Sequence, residues 1–262
     1  MTKTVLCLVP HPDDAEYYAG GTLVKMIAAG DRVLIAVATD GIKGSFELAG
    51  KELVNARHAE MINSAKVLGA ESPIFLGYTD FELELLPPGT LRERFIYLIR
   101  KHRPDVVFTE DPFWLGETHP DHRAVAYAGM EALNYARLPR IYPQHLKQGL
   151  QPFIVAEKYY YSEEPARANK FIDITGTFDK KIASLAEHKS QIEFLVEGLL
   201  QEARMAGLDL KATLGEIADN KLALFQMGMR MQAAEIGAAH GFELAEFFHY
   251  ERYHPLVESF LS

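Results

Sequence analysis

The sequence predicts an α/β fold, with a doubly wound, mostly parallel sheet covered by helices on both faces. Short apolar segments, typical of strands buried on both sides, alternate with segments of helical periodicity over residues 4–135. This alternation indicates right-handed βαβ units, and we expect the core strands in the order 3-2-1-4. We therefore predict one Rossmann-like domain over residues 1–262, in which 138–262 adds a cap loop, extra strands and a helical C-terminal extension.

The N-terminal half is predicted to contain four strands and four helices. The strands are expected at 5–9, 33–38, 73–77 and 105–109. The helices are expected over 20–29, 51–68, 90–101 and 120–135, the last beginning at a proline. Gly20 and Gly21 are expected to let the first helix begin close against the sheet. Because they do not form a GxGxxG pattern, no dinucleotide site is predicted.

The C-terminal half has a looser pattern. Residues 138–152 are predicted to form a long surface loop, a kind of segment that often covers a functional site. The remaining elements are expected as strands at 153–161 and 171–173, helices at 179–206 and 214–239, and an edge strand at 242–253. The last helix is rich in methionine, and we expect its apolar side chains in the core rather than in a subunit interface.

The composition excludes several classes of protein. The 27 lysine and arginine residues against 36 acidic ones give a net charge of −9, which argues against a non-specific binder of nucleic acid or of anionic membranes. The single cysteine, Cys7, cannot form an internal disulfide and lies in a predicted strand. No apolar stretch reaches membrane-spanning length and no signal-peptide pattern is present. We therefore expect a cytoplasmic protein with neither nucleic acid nor membrane as a partner.

Two polar motifs follow two of the predicted strands. The first strand leads into His11-Pro12-Asp13-Asp14, and the fourth leads into Thr118-His119-Pro120-Asp121-His122-Arg123. These strands are neighbours in the predicted order and mark its switch point, where open α/β sheets bind ligands beyond the carboxyl ends of the strands. We therefore expect the two motifs, 108 positions apart, to line one cleft.

The residue types in the motifs suit a hydrolytic metal site. A catalytic zinc ion takes three protein ligands and a water, although nitrogen and oxygen donors also accept other divalent metals. The predicted ligands are His11, Asp14 and His122. Asp13 is then free to act as the general base, unless it is only a structural hydrogen-bond acceptor. His119 can stabilise developing negative charge, and Asp121 can orient His119.

The same motifs resemble those of the LmbE/PIG-L family of zinc-dependent de-N-acetylases. The resemblance spans about residues 4–135, includes Gly20-Gly21-Thr22, and continues more weakly at 188–191 and 245–247. It implies removal of an acetyl group from an N-acetylglucosamine unit, with zinc as the cofactor and a homo-oligomer, a trimer or a hexamer, as the assembly. It also implies the metal, base and oxyanion roles given above, and sugar contacts for Arg57 and Asp80.

Two features of the motifs bear on the substrate. The form HPDDxxxxxGGT and the stretch Asp111-Pro112-Phe113-Trp114 look most like the diacetylchitobiose and N-acetylglucosamine deacetylase branch of the family. The chain departs from many members at Ala15, where they have glutamate, and from some at Glu117, where they have an aromatic residue. Both departures keep the metal triad but leave the substrate open.

Three functions are compatible with these observations. The leading hypothesis is zinc-dependent hydrolysis of the acetamide of a small N-acetylglucosamine-containing molecule, releasing acetate and the free amine. The alternatives are a metal-dependent amidase for a sugar–thiol conjugate and a non-catalytic Rossmann-like protein that binds a sugar or nucleotide. Trp114 either stacks on a sugar ring or is buried, and Arg57 and Asp80 either contact the sugar or interact with each other or with solvent. The histidines expected to be structural or exposed are His58, His102, His145, His188, His240, His249 and His254.

Overall fold

The computed structural model describes residues 2–253 and 255–260. One mixed sheet forms the centre of the described chain. Its strands are β1 (Thr4–Val9), β2 (Arg32–Thr39), β3 (Ile74–Tyr78), β4 (Val106–Glu110), β5 (Glu157–Tyr161), β6 (Lys170–Asp173) and β7 (Ala245–Glu251). They lie in the order β3-β2-β1-β4-β5-β7-β6, which confirms the predicted core order 3-2-1-4. The strands from β1 to β5 pair in parallel, whereas β7 is antiparallel to both β5 and β6.

Helices cover both faces of the sheet. They are α1 (Asp14–Ala28), α2 (Gly50–Leu68), α3 (Thr90–His102), α4 (Pro120–Tyr135), α5 (Gln144–Lys147), α6 (Phe178–Leu185), α7 (Lys189–Met205), α8 (Leu210–Leu214), α9 (Lys221–His240) and α10 (Pro255–Glu258). Short 3-10 turns lie at Leu83–Leu85, Pro165–Arg167 and Gly215–Asp219. No helix in the described ranges is long and apolar enough to cross a bilayer.

The side chains of β1 show why the fold is doubly wound. Residues 5–9 are fully buried, and alternate side chains enter cores on opposite faces of the sheet. Leu6 and Leu8 pack in a core with residues of α3 and α4, whereas Cys7 packs in the other core with residues of α1 and α2. A strand buried on both faces needs a continuous apolar sequence, and each such side chain stabilises the fold by about 1.5–3 kcal/mol.

The first helix begins at Asp14, six residues before the predicted start, so the prediction for its N-terminus was wrong. Gly20 and Gly21 lie in its middle, where the helix passes very close to the chain around α6. A Cβ atom on Gly21 would lie 2.6 Å from Cγ2 of Ile174, and one on Gly20 would lie 2.9 Å from Cγ of Lys181. The glycine pair therefore permits close helix packing, not a helix start.

A buried ion pair fastens the middle of α1 to the last strand of the sheet. The Glu246 carboxylate of β7 accepts hydrogen bonds from the backbone N–H groups of Gly21 and Thr22, at 2.9 and 2.8 Å, and from the Thr22 hydroxyl. The Lys181 ammonium lies 2.7 Å from the same carboxylate, and both side chains are only 4 % exposed. The helix that begins at the first motif is therefore held by residues from the C-terminal half.

The C-terminal half differs from the prediction at two helices and two strands. The helix expected over 179–206 is two helices, α6 and α7, separated by a turn at 186–188 that buries His188. The strand expected at 153–161 covers only Glu157–Tyr161, and α9 begins at Lys221, where Asn220 accepts a hydrogen bond from the N–H of Ala223. The predicted edge strand at 242–253 is β7, which lies inside the sheet because β6 pairs with its far side.

The loop at 138–152 is fixed in place and lies apart from the site described below. The buried Arg100 guanidinium donates to the backbone carbonyls of four residues at its base, and its Nη1 lies 3.1 Å from Nδ1 of His145. Those carbonyls belong to Ala136, Leu138, Ile141 and Tyr142. The expected cap loop is therefore a packed connection.

The methionine-rich α9 lies only partly in the core, since Met229 is buried and Met231 is exposed.

The contact at Gly21 predicts opposite effects of alanine at two helical glycines. Gly21→Ala should lower the free energy of unfolding by about 1–3 kcal/mol, because the new methyl group overlaps Ile174. Gly198→Ala in α7 meets no atom within 4 Å and should raise it by up to about 1 kcal/mol through helix propensity. Urea denaturation measures both. Equal effects of the two substitutions would contradict the packing argument.

Candidate active site

A cavity of about 620 Å³ opens where the loops after β1 to β5 meet the N-terminal turns of α1 and α7. Both sequence motifs contribute to its wall, as expected from the pairing of β1 with β4. It is lined by His11, Asp13, Asp14, Tyr17, Tyr18, Lys43, Gly44, Arg57, Asp80, Phe81, His119, His122, Glu163, Gln191, Phe194 and Leu195. The structure thus brings the two distant motifs into one cleft.

Donor atoms of His11, Asp14 and His122 converge on one side of the cavity. Nδ1 of His11 lies 3.2 Å from Nε2 of His122 and 3.4 Å from an Asp14 carboxylate oxygen. The other Asp14 oxygen lies 3.7 Å from Nε2 of His122. Ligands at 2.0–2.2 Å from a tetrahedral ion lie roughly 3.3–3.6 Å from one another. The separations among the three side chains are close to this range, and His11 and His122 also form a group with His119 whose donor atoms lie within 4.8 Å of one another.

The far nitrogen of His11 faces two carboxylates. Nε2 lies 3.2 Å from Oδ1 of Asp80 and 3.5 Å from Oδ2 of Asp121. Burial opposes protonation of His11, but Asp121, Asp14 and Asp80 outweigh it and raise the pKa to about 10. Burial also favours the neutral form of Asp14, yet the His122 and His11 imidazoles lower the pKa of Asp14 to about 2. A proton on Nε2 leaves Nδ1 free to bind a metal.

His122 has two carboxylates on its far side, from Glu110 and Glu117. Its Nδ1 lies 3.3 Å from Oε2 of Glu110 and 3.2 Å from Oε2 of Glu117. Glu110 is fully buried, and this burial raises its pKa to about 8, although the His122 imidazole opposes the shift. Glu110 is not among the site residues predicted from the sequence. The signal it carries is an acidic residue that ends an otherwise apolar strand.

Asp13 lies beside the predicted metal ligands in a strained backbone conformation. Its φ angle is 126°, a value that residues other than glycine rarely adopt. Such a conformation typically costs about 1–3 kcal/mol. The Arg57 guanidinium donates a hydrogen bond of 3.1 Å to Oδ1 of Asp13, and others to the carbonyls of Pro12 and Gly41. Burial raises the pKa of Asp13 to about 6, and Arg57 opposes the shift. Arg57 therefore holds Asp13 at the edge of the cavity.

The ring of His119 has a defined tautomer when it is neutral. The backbone N–H of Asp121 donates to Nδ1 of His119 at 3.2 Å, so the ring proton lies on Nε2. Burial lowers the pKa of His119, and the neighbouring His11 and His122 lower it further. The predicted link between Asp121 and His119 thus runs through the Asp121 backbone. The Asp121 carboxylate accepts from the N–H groups of Phe81 and Leu83 and faces His11.

Comparison with known proteins decides the family. The PIG-L family, described as GlcNAc-PI de-N-acetylase, matches residues 6–133, a range that contains both motifs. A diacetylchitobiose deacetylase from Thermococcus kodakarensis is 38% identical over 194 residues, which cover 72% of this chain and 70% of that protein. The chain belongs to the PIG-L family. PIG-L proteins are de-N-acetylases, which confirms the predicted class of enzyme.

Further deacetylases are similar to this chain in sequence or in structure. A probable N-acetyl-alpha-D-glucosaminyl L-malate deacetylase 2 from Bacillus cereus is 28% identical over 204 residues, covering 75% of this chain and 87% of that protein. The structure of N,N'-diacetylchitobiose deacetylase from Pyrococcus horikoshii, complexed with an inhibitor, superposes with a TM-score of 0.78 at 28% identity. It covers 98% of this chain and 88% of that one, which confirms the α/β fold.

Of the three residues predicted to contact sugar, two line the main cavity and one does not. Arg57 and Asp80 both line the cavity, where Arg57 donates to Asp13 through Nη2 and Asp80 contacts His11 through Oδ1. Trp114 is half-buried and lines a separate cavity of about 110 Å³ behind the loop after β4. The turn from Asp111 to Trp114, closed by a 3.3 Å backbone hydrogen bond, directs the indole there. Aromatic contacts to the main cavity come instead from Tyr17, Tyr18, Phe81 and Phe194.

The remaining histidines divide by burial. His145 and His188 are buried, His240 is exposed, and His58, His102 and His249 are half-buried. His254 lies outside the described residues. His188 is close to the site, with Nε2 3.6 Å from Oε1 of Glu16. The next residues extend the cavity wall, because Gln191 donates to the carbonyl of Gly44 and Phe194 follows on the same helix.

The contact of Asp80 with His11 predicts an effect on metal affinity. Asp80→Asn should weaken binding of a divalent metal roughly 10–100-fold, because the amide no longer fixes the His11 ring through a charge. Glu82→Gln is the matched control, since the Glu82 carboxylate on the same loop pairs with Lys43. Equilibrium dialysis followed by elemental analysis gives both affinities. Wild-type affinity in Asp80→Asn would remove Asp80 from the support of the site.

Proposed function

We propose that the protein hydrolyses the acetamide of a small N-acetylglucosamine-containing molecule with a bound zinc ion, releasing acetate and the free amine. The observation that carries the proposal is the convergence of His11, Asp14 and His122 in one cavity, with Asp13 and His119 beside them. Membership of a de-N-acetylase family gives the reaction type. The strained backbone of Asp13 beside these residues favours a catalytic role over simple binding, because backbone strain is concentrated at active sites.

His11, Asp14 and His122 would hold the zinc ion, through Nδ1, a carboxylate oxygen and Nε2. Two nitrogens and one carboxylate are a ligand set that zinc hydrolases use. When bound, zinc lowers the pKa of a water molecule to near 7 and polarises the amide carbonyl. Asp80 and Asp121 hold the His11 ring in place, and the Glu110 and Glu117 carboxylates lie 3.3 and 3.2 Å from Nδ1 of His122.

Asp13 is the proposed general base. Its carboxylate lines the cavity next to Asp14, and Arg57 restricts it to one orientation through Oδ1. In this role Asp13 takes the proton from the attacking water and later gives it to the nitrogen of the leaving amine. Because Arg57 also bonds the carbonyls of Pro12 and Gly41, the base and two loops of the wall are fixed by one side chain.

His119 is the proposed donor to the oxygen of the amide. Its neutral ring carries the proton on Nε2, because Nδ1 accepts the hydrogen bond from the Asp121 backbone. The ring centroid lies 4.6 Å from that of His11, so the donor is next to the metal triad. A fixed N–H group aimed at developing negative charge lowers the barrier without reorganisation during the reaction.

The cavity suits a small sugar. A volume of about 620 Å³ falls in the usual range for small-molecule sites. Aromatic rings of Tyr17 and Phe194 offer apolar faces for a sugar ring, and Lys43 and Gln191 offer polar atoms on the wall. The similarity to a diacetylchitobiose deacetylase supports an N-acetylated disaccharide as the substrate, rather than a sugar–thiol conjugate.

Acetate release from a panel of substrates tests the proposal. N,N'-diacetylchitobiose and N-acetylglucosamine should release acetate in the presence of zinc, and a chelator should stop the reaction until zinc is restored. A sugar–thiol amide serves as the comparison substrate. Turnover of the thiol conjugate alone would replace the proposed substrate, and binding of sugar without release of acetate would contradict catalysis.

Substitutions of the two adjacent aspartates in the first motif are predicted to have different effects on metal content and on activity. Asp13→Asn should reduce kcat roughly 10²–10⁴-fold and keep the metal, because the amide cannot take a proton. Asp14→Asn should lose both the metal and the activity, because a predicted ligand is removed. Metal content per chain and initial rates of acetate release are measured side by side. Full activity of Asp13→Asn with bound metal would exclude Asp13 as the base.

A further inference from the structure

A second group of metal-binding side chains lies on the far side of the His122 ring. It consists of Glu110, Glu117 and Nδ1 of His122, whose donor atoms lie within 4.8 Å of one another. Nδ1 lies 3.3 Å from Oε2 of Glu110 and 3.2 Å from Oε2 of Glu117. These separations are close to the roughly 3.3–3.6 Å expected between two ligands of a tetrahedral ion. We call this group the Glu110 cluster.

The Glu110 cluster contains polar atoms without partners. Glu110 is fully buried, and among the described residues neither of its oxygens has a hydrogen-bond partner. Nδ1 of His122 likewise has no hydrogen-bond partner in that part of the chain, although both carboxylates lie within 3.3 Å of it. A buried acidic side chain without a hydrogen-bond partner is costly whether it is neutral or charged, and a cation between the two acids would remove that cost.

A cavity of about 110 Å³, separate from the active-site cavity, reaches the two glutamates of the Glu110 cluster. Glu110 and Glu117 both line it. The other charged groups of its wall are already engaged. Arg123 donates to the carbonyls of Glu117 and Thr118, and the Asp111 carboxylate accepts from the N–H of Phe113 and lies 3.2 Å from Arg167. Glu117 accepts a hydrogen bond of 2.6 Å from the His119 N–H at Oε1, so Glu110 and the Oε2 atom of Glu117 are the carboxylate oxygens of the described wall that can hold an ion there.

We propose that the Glu110 cluster is a second site for a divalent cation, with zinc as a fitting ion. Two carboxylates and an imidazole nitrogen are a donor set of the borderline kind that zinc accepts. Nε2 of His122 faces His11 and Asp14, and a neutral imidazole has one free lone pair. A cation bound at Nδ1 therefore competes with the first site for this ring, and excess cation slows the enzyme.

Binding at the Glu110 cluster is measured without substrate or turnover, whereas the loss of rate rests on the proposed function. The test uses protein that carries one equivalent of zinc and titrates it with zinc chloride alone, with calorimetry and elemental analysis as readouts. The wild type should take up a second equivalent, more weakly than the first. Acetate release, measured on the same samples, should fall as the second equivalent binds.

Two variants locate the second equivalent. Glu110→Gln should weaken its binding roughly 10–100-fold and shift the inhibition to correspondingly higher zinc concentrations. Asp111→Asn is the matched control, because it removes a carboxylate from the wall of the same cavity but outside the cluster, and it should bind the second equivalent as the wild type does. Retention of the first equivalent and an unchanged circular dichroism spectrum show that Glu110→Gln is folded.

Other outcomes would overturn the proposal. Binding of one equivalent only, up to millimolar zinc, would mean that the two glutamates merely orient His122. A second equivalent that survives Glu110→Gln would place the ion elsewhere. These results are distinguishable from a failure of the proposed function, because the stoichiometry is read without any substrate.

Discussion

The parallel pairing of β1 with β4 is the constraint on which the site depends. Val5, Leu6 and Cys7 pair with residues 106–108, so the loops that leave the two strands begin side by side at the same edge of the sheet. Helices α1 and α4 then start within those loops and turn to opposite faces of the sheet. The gap between them is the cavity. Residues more than a hundred positions apart thereby reach the same few ångströms without a domain interface.

Charge compensation explains why so many acidic residues surround three imidazoles. His11 and His122 each place one nitrogen toward the cavity and the other toward a pair of carboxylates. The resulting arrangement is electrostatically expensive in a buried environment, and the fold offsets it with Arg57 and with backbone N–H groups directed at Asp121. The buried charges lower the stability of the fold, and the same contacts fix the orientations of the imidazole rings, as metal ligands require.

Much of the fold and of the site could be predicted from the sequence because local and global signals agree there. The apolar strand at 5–9 and the acidic, histidine-containing loop after it predict both a buried strand and a ligand site. The Gly20-Gly21 pair misled the prediction, since glycine signals both a helix end and a close contact, and only the packing against Ile174 distinguishes them. Glu110 was missed because nothing local reveals that the end of β4 is buried beside His122. The engagement of Arg57 and Asp80 also depends on partners that are distant in sequence.

The position of β7 inside the sheet has a consequence for how the chain matures during translation. Strand β7 is synthesised after the other six strands, yet it lies between β5 and β6 in the sheet. It also carries Glu246, whose carboxylate accepts hydrogen bonds from the α1 backbone. While the ribosome is still adding these residues, the α1 backbone lacks its acceptor and Lys181 lacks its counter-ion. The helix that begins at the first motif is therefore fastened to the sheet only after the last strand has been synthesised.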